Sequence, residues 1–386
     1  MVLFKHKRGV CKLKKIISVV ITLAMIFSFT SCKKEEAVPA SAPVESVVTL
    51  TAVGDNLIHA PIYEQAALSD GSYDFAPSYV DIAPYIKGDI NILNQETPIG
   101  GVELGISSYP CFNSPQELGS NMIDLGFNVV NHATNHIMDA GSKGVINSLD
   151  FWAANNIPVL GVYKDGEDPV KIIEKNGLKF GLVSFTYGTN GIRVPEGKGI
   201  NVCHTEDALI TEHISRARAS ADIVIVNMHW GNEYQMKQNA EQERLAKLAA
   251  SCNADLVIGH HPHVIQPVEE IVRADGKMMT VAYSLGNFIS SQIETETMLG
   301  GMLMAEFKGV PGNAYLSQVA FMPVVTHYGD RFKGSKVYAW DDYTEYLASI
   351  HGCRNYDSSF SYNYINELIN KTINEKYLVN KAYFLN

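Results

Sequence analysis

Five apolar runs in this chain each end in residues able to bind a metal ion or move a proton. The run 47–53 stops at Gly54-Asp55-Asn56, and 90–93 stops at Asn94-Gln95-Glu96. The run 127–130 leads into Asn131-His132-Ala133-Thr134-Asn135-His136 and on to Asp139. The run 223–226 leads into Asn227-Met228-His229-Trp230-Gly231-Asn232-Glu233, and 256–258 into Gly259-His260-His261-Pro262-His263. Half of the 12 histidines fall in three of these clusters. Imidazole nitrogens and carboxylate oxygens are the expected ligands of Zn, Mn or Fe ions. The pair in His261-Pro262-His263 can reach one ion or two neighbouring ions if the backbone bends there. Pro262 favours such a bend, because its ring fixes its own φ and restricts the residue before it.

Taken one at a time, these residues have ordinary explanations. An Asp after a Gly at a strand end caps a turn. Asn94 and Asn135 alone are loop residues bonding their own backbone, His132 alone is a buried histidine with its needs met, and Trp230 alone is packing. The joint pattern is different, because five strand ends do not all carry ligand-type residues by accident. In open α/β sheets, ligands bind beyond the carboxyl ends of the strands, so five such loops converge on one crevice.

The elements that must carry these clusters alternate between helix and strand patterns, as α/β architectures do. Helices are expected at 78–86, 115–125, 142–155, 205–220 and 240–251. The apolar runs named above are the buried strands between them. Asn176-Gly177 and Asp275-Gly276 are hairpin turn signals, the first joining strands at 170–175 and 178–185. After about Thr326 the pattern weakens into a Tyr- and Asn-rich helical tail. The expected organisation is a leader at 1–31, a flexible tether at 32–46, the main α/β domain at 47–328 and a helical C-terminal extension at 329–386.

The leader has six basic residues and no acid before an uncharged apolar stretch, 16–30. That stretch falls short of the roughly 20 apolar residues a membrane span needs, but it suits a signal-peptide core. It ends at Phe29-Thr30-Ser31-Cys32, a lipobox-like sequence that points to lipidation of Cys32. Simple secretion and an uncleaved signal anchor are the alternatives. Two acyl chains on Cys32 would suffice for stable anchoring where one is marginal. The segment 33–46 is rich in Ala, Pro and Ser and aperiodic, which fits a tether. Without the leader, 25 of the 31 basic residues face 41 acids, a formal charge of −16. That balance argues against nonspecific nucleic-acid binding, and it leaves any anionic ligand to be drawn by local cations such as bound metal. Cys111, Cys203, Cys252 and Cys353 show no close pairs and are expected as free, mostly buried thiols.

In chain order, Gly54-Asp55, Asn94-Gln95-Glu96-Thr97-Pro98, Asn131 to Asp139, His229-Trp230-Gly231-Asn232-Glu233-Tyr234, Gly259 to His263 and Ser284-Leu285-Gly286-Asn287-Phe288 resemble the CapA-type capsule-synthesis family. That family is linked to poly-γ-glutamate production and related in fold to calcineurin-like metallophosphoesterases. The resemblance spans roughly residues 48–326 and implies a four-layer αββα sandwich. It also implies Asp55, Glu96, Asn135, His229, His261 and His263 as metal ligands, with Glu96 in the bridging position. His136 becomes the candidate acid, and Glu233 a catalytic-site residue orienting His229. Asn94, His132, Trp230 and Asn287 become expected substrate contacts. The sequence departs from the phosphoesterase pattern at Leu57, where a ligand His is usual, with His59 two residues further on.

Two functions follow from that resemblance. One is a metal-dependent hydrolase or transferase, lipid-anchored on the extracytoplasmic face of the cell membrane. It would use one or two divalent ions (Mn, Zn or Fe) on a phosphoester or a γ-glutamyl amide; a pair about 3.5–4 Å apart would clamp the reacting group. The other is a non-catalytic factor that binds poly-γ-glutamate, or a related anionic polymer, and partners a membrane synthase or export protein.

Overall fold

The β-branched run that opens the domain forms, in the computed structural model of the chain, the middle of the largest of three sheets. The structure describes residues 45–380 and 382–383. The leader, Cys32 and almost all of the tether lie outside the described residues. The strands are β1 (Ser46–Asn56), β2 (Ile90–Gln95), β3 (Val129–Asn131), β4 (Val159–Leu160), β5 (Val162–Lys164), β6 (Lys171–Lys175), β7 (Leu178–Thr186) and β8 (Ile200–Val202). They continue with β9 (Ile223–His229), β10 (Leu256–His260), β11 (Val268–Val272), β12 (Met278–Ala282), β13 (Asn287–Ile289), β14 (Leu299–Val310), β15 (Asn313–His327) and β16 (Lys336–Ala339). The helices are α1 (Ala60–Ala66), α2 (Ala76–Tyr79), α3 (Gln116–Asp124), α4 (Gly141–Ala154), α5 (Asp207–Ser220), α6 (Ala240–Ser251), α7 (Glu345–Ser349) and α8 (Tyr362–Thr372).

One sheet runs β16-β15-β14-β1-β2-β3-β4, with β13 also paired to β1, and the other runs β11-β12-β10-β9-β7-β6. A small ribbon, β5-β8, stands apart. β1 to β4 are mutually parallel, as are β7, β9, β10 and β12, while hairpin partners close the second sheet at both edges. Parallel strands covered on both faces read as continuous apolar runs, and alternate side chains then serve two different cores. In β9, Ile223 and Ile225 point between the sheets, whereas Val224 and Val226 pack against α5 and α6. In β1, Leu50 and Ala52 face the second sheet, and Val53 faces the layer holding α1 to α4. Three cores separate four layers, helix–sheet–sheet–helix.

Sequence signals place most of these elements. Asn176 and Gly177, with φ of 49° and 81°, make the two-residue turn between β6 and β7. The helix expected at 78–86 is instead α2 followed by a short 3₁₀ turn, Ala83–Tyr85. Pro84 lacks an N–H and its ring obstructs the carbonyl four residues back, so a continuous helix cannot pass it. The C-terminal segment carries α7 and α8 and also β16, which pairs with β15. Its Phe360, Ile365 and Ile369 join the core cluster that contains β1 and β9 side chains. The four described cysteines are free; Cys203 and Cys353 are buried, Cys252 is partly so, and Cys111 is exposed.

Candidate metal centre

Parallel strands entering from both sheets bring their carboxyl ends to one place. Close backbone contact helps to make this possible. A Cβ on Gly54 would lie 2.0 Å from the Gly286 carbonyl oxygen, and the Asp55 N–H donates to that same oxygen at 2.8 Å. The glycine before the aspartate is therefore what lets the chain before β13 lie against β1.

Asp55 and Glu96 are both fully buried, but their surroundings are opposite. Asp55 Oδ1 accepts from the Asn94 side-chain amide at 2.7 Å, and Oδ2 meets His263 Nδ1 at 3.0 Å. The His261 backbone N–H lies 3.3 and 3.4 Å from the two oxygens. His260 stands behind, its Nδ1 3.7 Å from Asp55 Oδ1. Neither oxygen of Glu96 has a hydrogen-bond partner. His263 Nε2 and His229 Nε2 each lie 3.8 Å from Glu96 Oε1. One donor atom each from Glu96, His261 and His263 lies within 4.8 Å of the others. Nδ1 of His261 and Nδ1 of His229 are also without partners. Burying a carboxylate and imidazoles unpaired costs several kcal/mol. A divalent cation satisfies such a set, so the residues present fit a metal ion.

The electrostatics agree with this fit at His261 and His229, whose rings are held neutral, whereas His263 carries a proton that an ion would displace. Burial holds Glu96 well above the usual carboxylate range; the charge of His263 works against that shift, while Asp55, Glu233 and Asp139 add to it. Burial and the charge of His263 push His261 down to about 3. Burial and neighbouring histidines likewise hold His229 well below its ordinary value. For His263 burial acts in the same direction, but Glu96 and Asp55 outweigh it and raise the ring to about 9. The bend at Pro262 is made by its neighbours, with φ of 96° at His261 and 59° at His263. Left-handed backbone at non-glycine residues costs about 1–3 kcal/mol each and clusters at functional sites.

Beside the centre opens a cavity of about 710 Å³. His136, Asp139, Asn135, Asn190, Glu233, Tyr234 and His263 line it, as do His59, Tyr109, Phe112 and the segment Ser291-Gln292-Ile293-Glu294. None of the described residues lining it is Lys or Arg. His136 Nδ1 contacts Asp139 Oδ2 at 2.7 Å, which leaves Nε2 as the ring atom free for chemistry. Asn135 Oδ1 lies 2.8 Å from His229 Nε2, and its amide donates to Asn190 at 3.1 Å.

Residues 49–292 match the family described as bacterial capsule synthesis protein PGA_cap. The chain belongs to that family. The PGA biosynthesis protein CapA of Bacillus subtilis (strain 168) is 26% identical over 304 residues, covering 76% of this chain and 76% of that protein. The capsule biosynthesis protein CapA of Bacillus anthracis is 28% identical over 307 residues, covering 76% and 71%. Among solved structures, a calcineurin-like phosphoesterase, YfkN of Bacillus subtilis, aligns at 15% identity and a TM-score of 0.40, covering 84% of this chain and 99% of that one. A putative 5′-nucleotidase from Staphylococcus aureus aligns at 18% identity and a TM-score of 0.44. That alignment covers 72% of this chain and 54% of the nucleotidase, about half its length.

The family motifs meet at the centre, but their members differ in position. Asp55, Glu96, Asn135, His229, His261 and His263 come together. Asn94, expected as a substrate contact, is fully buried and spans Asp55 and Asn131 by hydrogen bonds. Asn287 accepts at 3.1 Å from His263 Nδ1 and steadies that ring. His132 is buried near Trp152, pushed down to about 4 by burial, and does not line the cavity. Trp230 is packing: it donates to the Tyr283 carbonyl at 2.8 Å and stacks on that ring. Among the described residues Glu233 makes no hydrogen bond to His229; it stands exposed at the cavity edge. Asp139, which ends the third cluster but had no role assigned to it, belongs to the site, as do two residues outside the clusters, Asn190 and Tyr187, the latter with its ring centroid 4.6 Å from that of His261. Tyr187 and Asn190 follow β7, a further parallel strand, so the strand-end rule extended to β7 finds them.

Proposed function

We propose that this chain is a metal-dependent hydrolase or transferase of capsule-polymer synthesis, held on the extracytoplasmic face of the cell membrane through lipidated Cys32. The observation that carries the reading is the contrast at the centre. Glu96, His261 and His229 present buried donor atoms without partners beside a cavity, and His136 stands at its wall with Asp139 behind it. Glu96, His261 and His263 would hold a divalent ion, which when bound supplies Lewis-acid activation at neutral pH. Asp139 holds a proton on His136 Nδ1, so Nε2 is the atom that takes part: it would take a proton from the attacking group and, with the ring then an imidazolium, return it to the leaving group in the cavity. Asn135 and Asn190 tie the His136 loop to the segment after β7, holding that ring in place. With no Lys or Arg among the described residues on the wall, an anionic chain would be attracted chiefly by the metal. Poly-γ-glutamate or a related polymer is the proposed ligand and a membrane synthase or export protein the proposed partner. Among the described residues no helix is long and apolar enough to cross a membrane.

The test uses the full chain in detergent, loaded with Mn²⁺ or Zn²⁺ and offered phosphoesters and γ-glutamyl polymers. Turnover by the parent should fall about 10²–10⁴-fold in His136→Ala, the usual contribution of a positioned acid, with metal content unchanged. A loaded parent that retains polymer but turns over neither substrate would sink the catalytic reading and leave the binding and export role.

A further inference from the structure

We propose that the centre holds a single ion per chain, on Glu96, His261 and His263, and that Asp55 acts from behind His263 as its hydrogen-bond partner. This rests on the metal reading above and departs from the two-ion arrangement and from Asp55 as a ligand.

Three observations on different residues agree. First, the oxygens of Asp55 are already used, by the Asn94 amide at 2.7 Å, His263 Nδ1 at 3.0 Å and the His261 N–H. Of the two buried carboxylates, Asp55 is the one engaged by three donors, whereas both oxygens of Glu96 are without hydrogen-bond partners and open to an ion. Second, the atom of His263 that Asp55 engages is Nδ1, with Asn287 Oδ1 on the same nitrogen at 3.1 Å. Two acceptors on Nδ1 place the proton there and leave Nε2, 3.8 Å from Glu96, as the ligand atom. Carboxylate behind histidine behind metal is a recurrent arrangement that fixes tautomer and ring orientation. Third, the positions two and four residues after Asp55 offer a second ion no free ligand atom on their near side. Leu57 is an apolar, buried side chain. His59 Nδ1 accepts the Ser291 N–H at 3.2 Å, and its ring sits edge-on to Phe112. On the other flank, His229 Nε2 is engaged by Asn135 Oδ1 at 2.8 Å.

The full chain in detergent, saturated with Mn²⁺ and desalted, is assayed for manganese per chain by mass spectrometry and for spin coupling by electron paramagnetic resonance. One ion per chain with an uncoupled signal is expected. Asp55→Asn, which keeps the size and loses the charge, should retain that ion with affinity weakened about 10–100-fold, the usual cost of a lost outer partner. Glu96→Gln should lose it. Two ions per chain, or an exchange-coupled signal, overturns the single-ion assignment and leaves the metal reading standing. A folded Asp55→Asn chain with no ion overturns the outer role of Asp55, and a parent with no ion overturns the metal reading itself. If Asp55→Asn does not fold, the parent's count still decides the stoichiometry. Asn287→Ala then probes the same nitrogen from its other acceptor, with the same modest loss expected and complete loss counting against the arrangement.

Discussion

At the scale of single residues, the glycine of Gly54-Asp55 matters as much as the acid. The obstacle a Cβ would meet at Gly54 is backbone, the Gly286 carbonyl at 2.0 Å, and backbone cannot step aside as a side chain can. Overpacking of this kind costs about 1–3 kcal/mol, and Gly54→Ala should sit at the upper end of that range. Gly188 is the natural control, since a Cβ there meets nothing within 4 Å and its φ is not positive. Urea midpoints of the two alanine variants should therefore separate clearly; equal midpoints would mean that β1 and the Gly286 turn move apart without penalty. The same residue scale shows what sequence could and could not tell. Asp55, Glu96, His261 and His263 were legible because ligand chemistry is written in residue type. Their roles were not, because a partner such as Asn94, arriving from another strand, decides whether a carboxylate is free or occupied. Trp230 shows the converse: its place in a ligand cluster says nothing about which way a ring leaves the strand end.

Secondary-structure elements were legible wherever local chemistry agrees with burial. α6 is the clearest case. Asn239 accepts the Gln242 N–H at 2.9 Å, and the Gln242 side chain accepts the Asn239 N–H at 3.0 Å, a complete capping box. This cap anchors the helix that precedes β10, the strand delivering His260 and leading into His261. Removing an N-cap side chain costs about 1 kcal/mol, with a range of 0.5–2. Asn239→Ala should lower the urea midpoint by that energy divided by the slope of the transition, with the slope itself unchanged, because the same surface is exposed on unfolding. An unchanged midpoint would mean that Gln242 alone, through its bond to Gln266 at 2.8 Å, holds the helix start. The elements harder to read were those set by tertiary pairing. β16 is four residues long and exists through its ladder to β15, and α1 has no side-chain cap at all.

For the whole molecule, the C-terminal segment makes stability depend on pH at a place remote from the metal centre. His351 is buried between two fixed backbone partners: Nδ1 accepts the Cys353 N–H at 2.9 Å, and Nε2 donates to the Thr326 carbonyl at 2.9 Å. A backbone N–H must donate and a carbonyl must accept, so the ring is neutral with its proton on Nε2. His327 lies 4.8 Å away between ring centroids, with Nδ1 3.0 Å from the Tyr343 hydroxyl. Burial pushes His351 down to about 3, with His327 contributing, and burial pushes His327 down to about 4. The facing Tyr328, Tyr343 and Cys353 are all shifted upward by burial and stay neutral in acid, so none supplies a compensating negative charge. The sign follows from proton counting. Below pH 6.5 the unfolded chain protonates these imidazoles and the folded one does not, so stability falls as pH falls from 6.5 and levels off near the folded values. Each ring contributes up to about 1.4 kcal/mol per pH unit in that window. His351→Gln, which removes one titrating ring and keeps a donor and an acceptor, should lower stability at neutral pH yet lose about one proton's worth of slope between pH 6 and 4. Urea midpoints across that range measure it directly. Parallel pH profiles for parent and variant would show that His351 is protonated in the fold, and the acid sensitivity would then have to come from elsewhere in the chain.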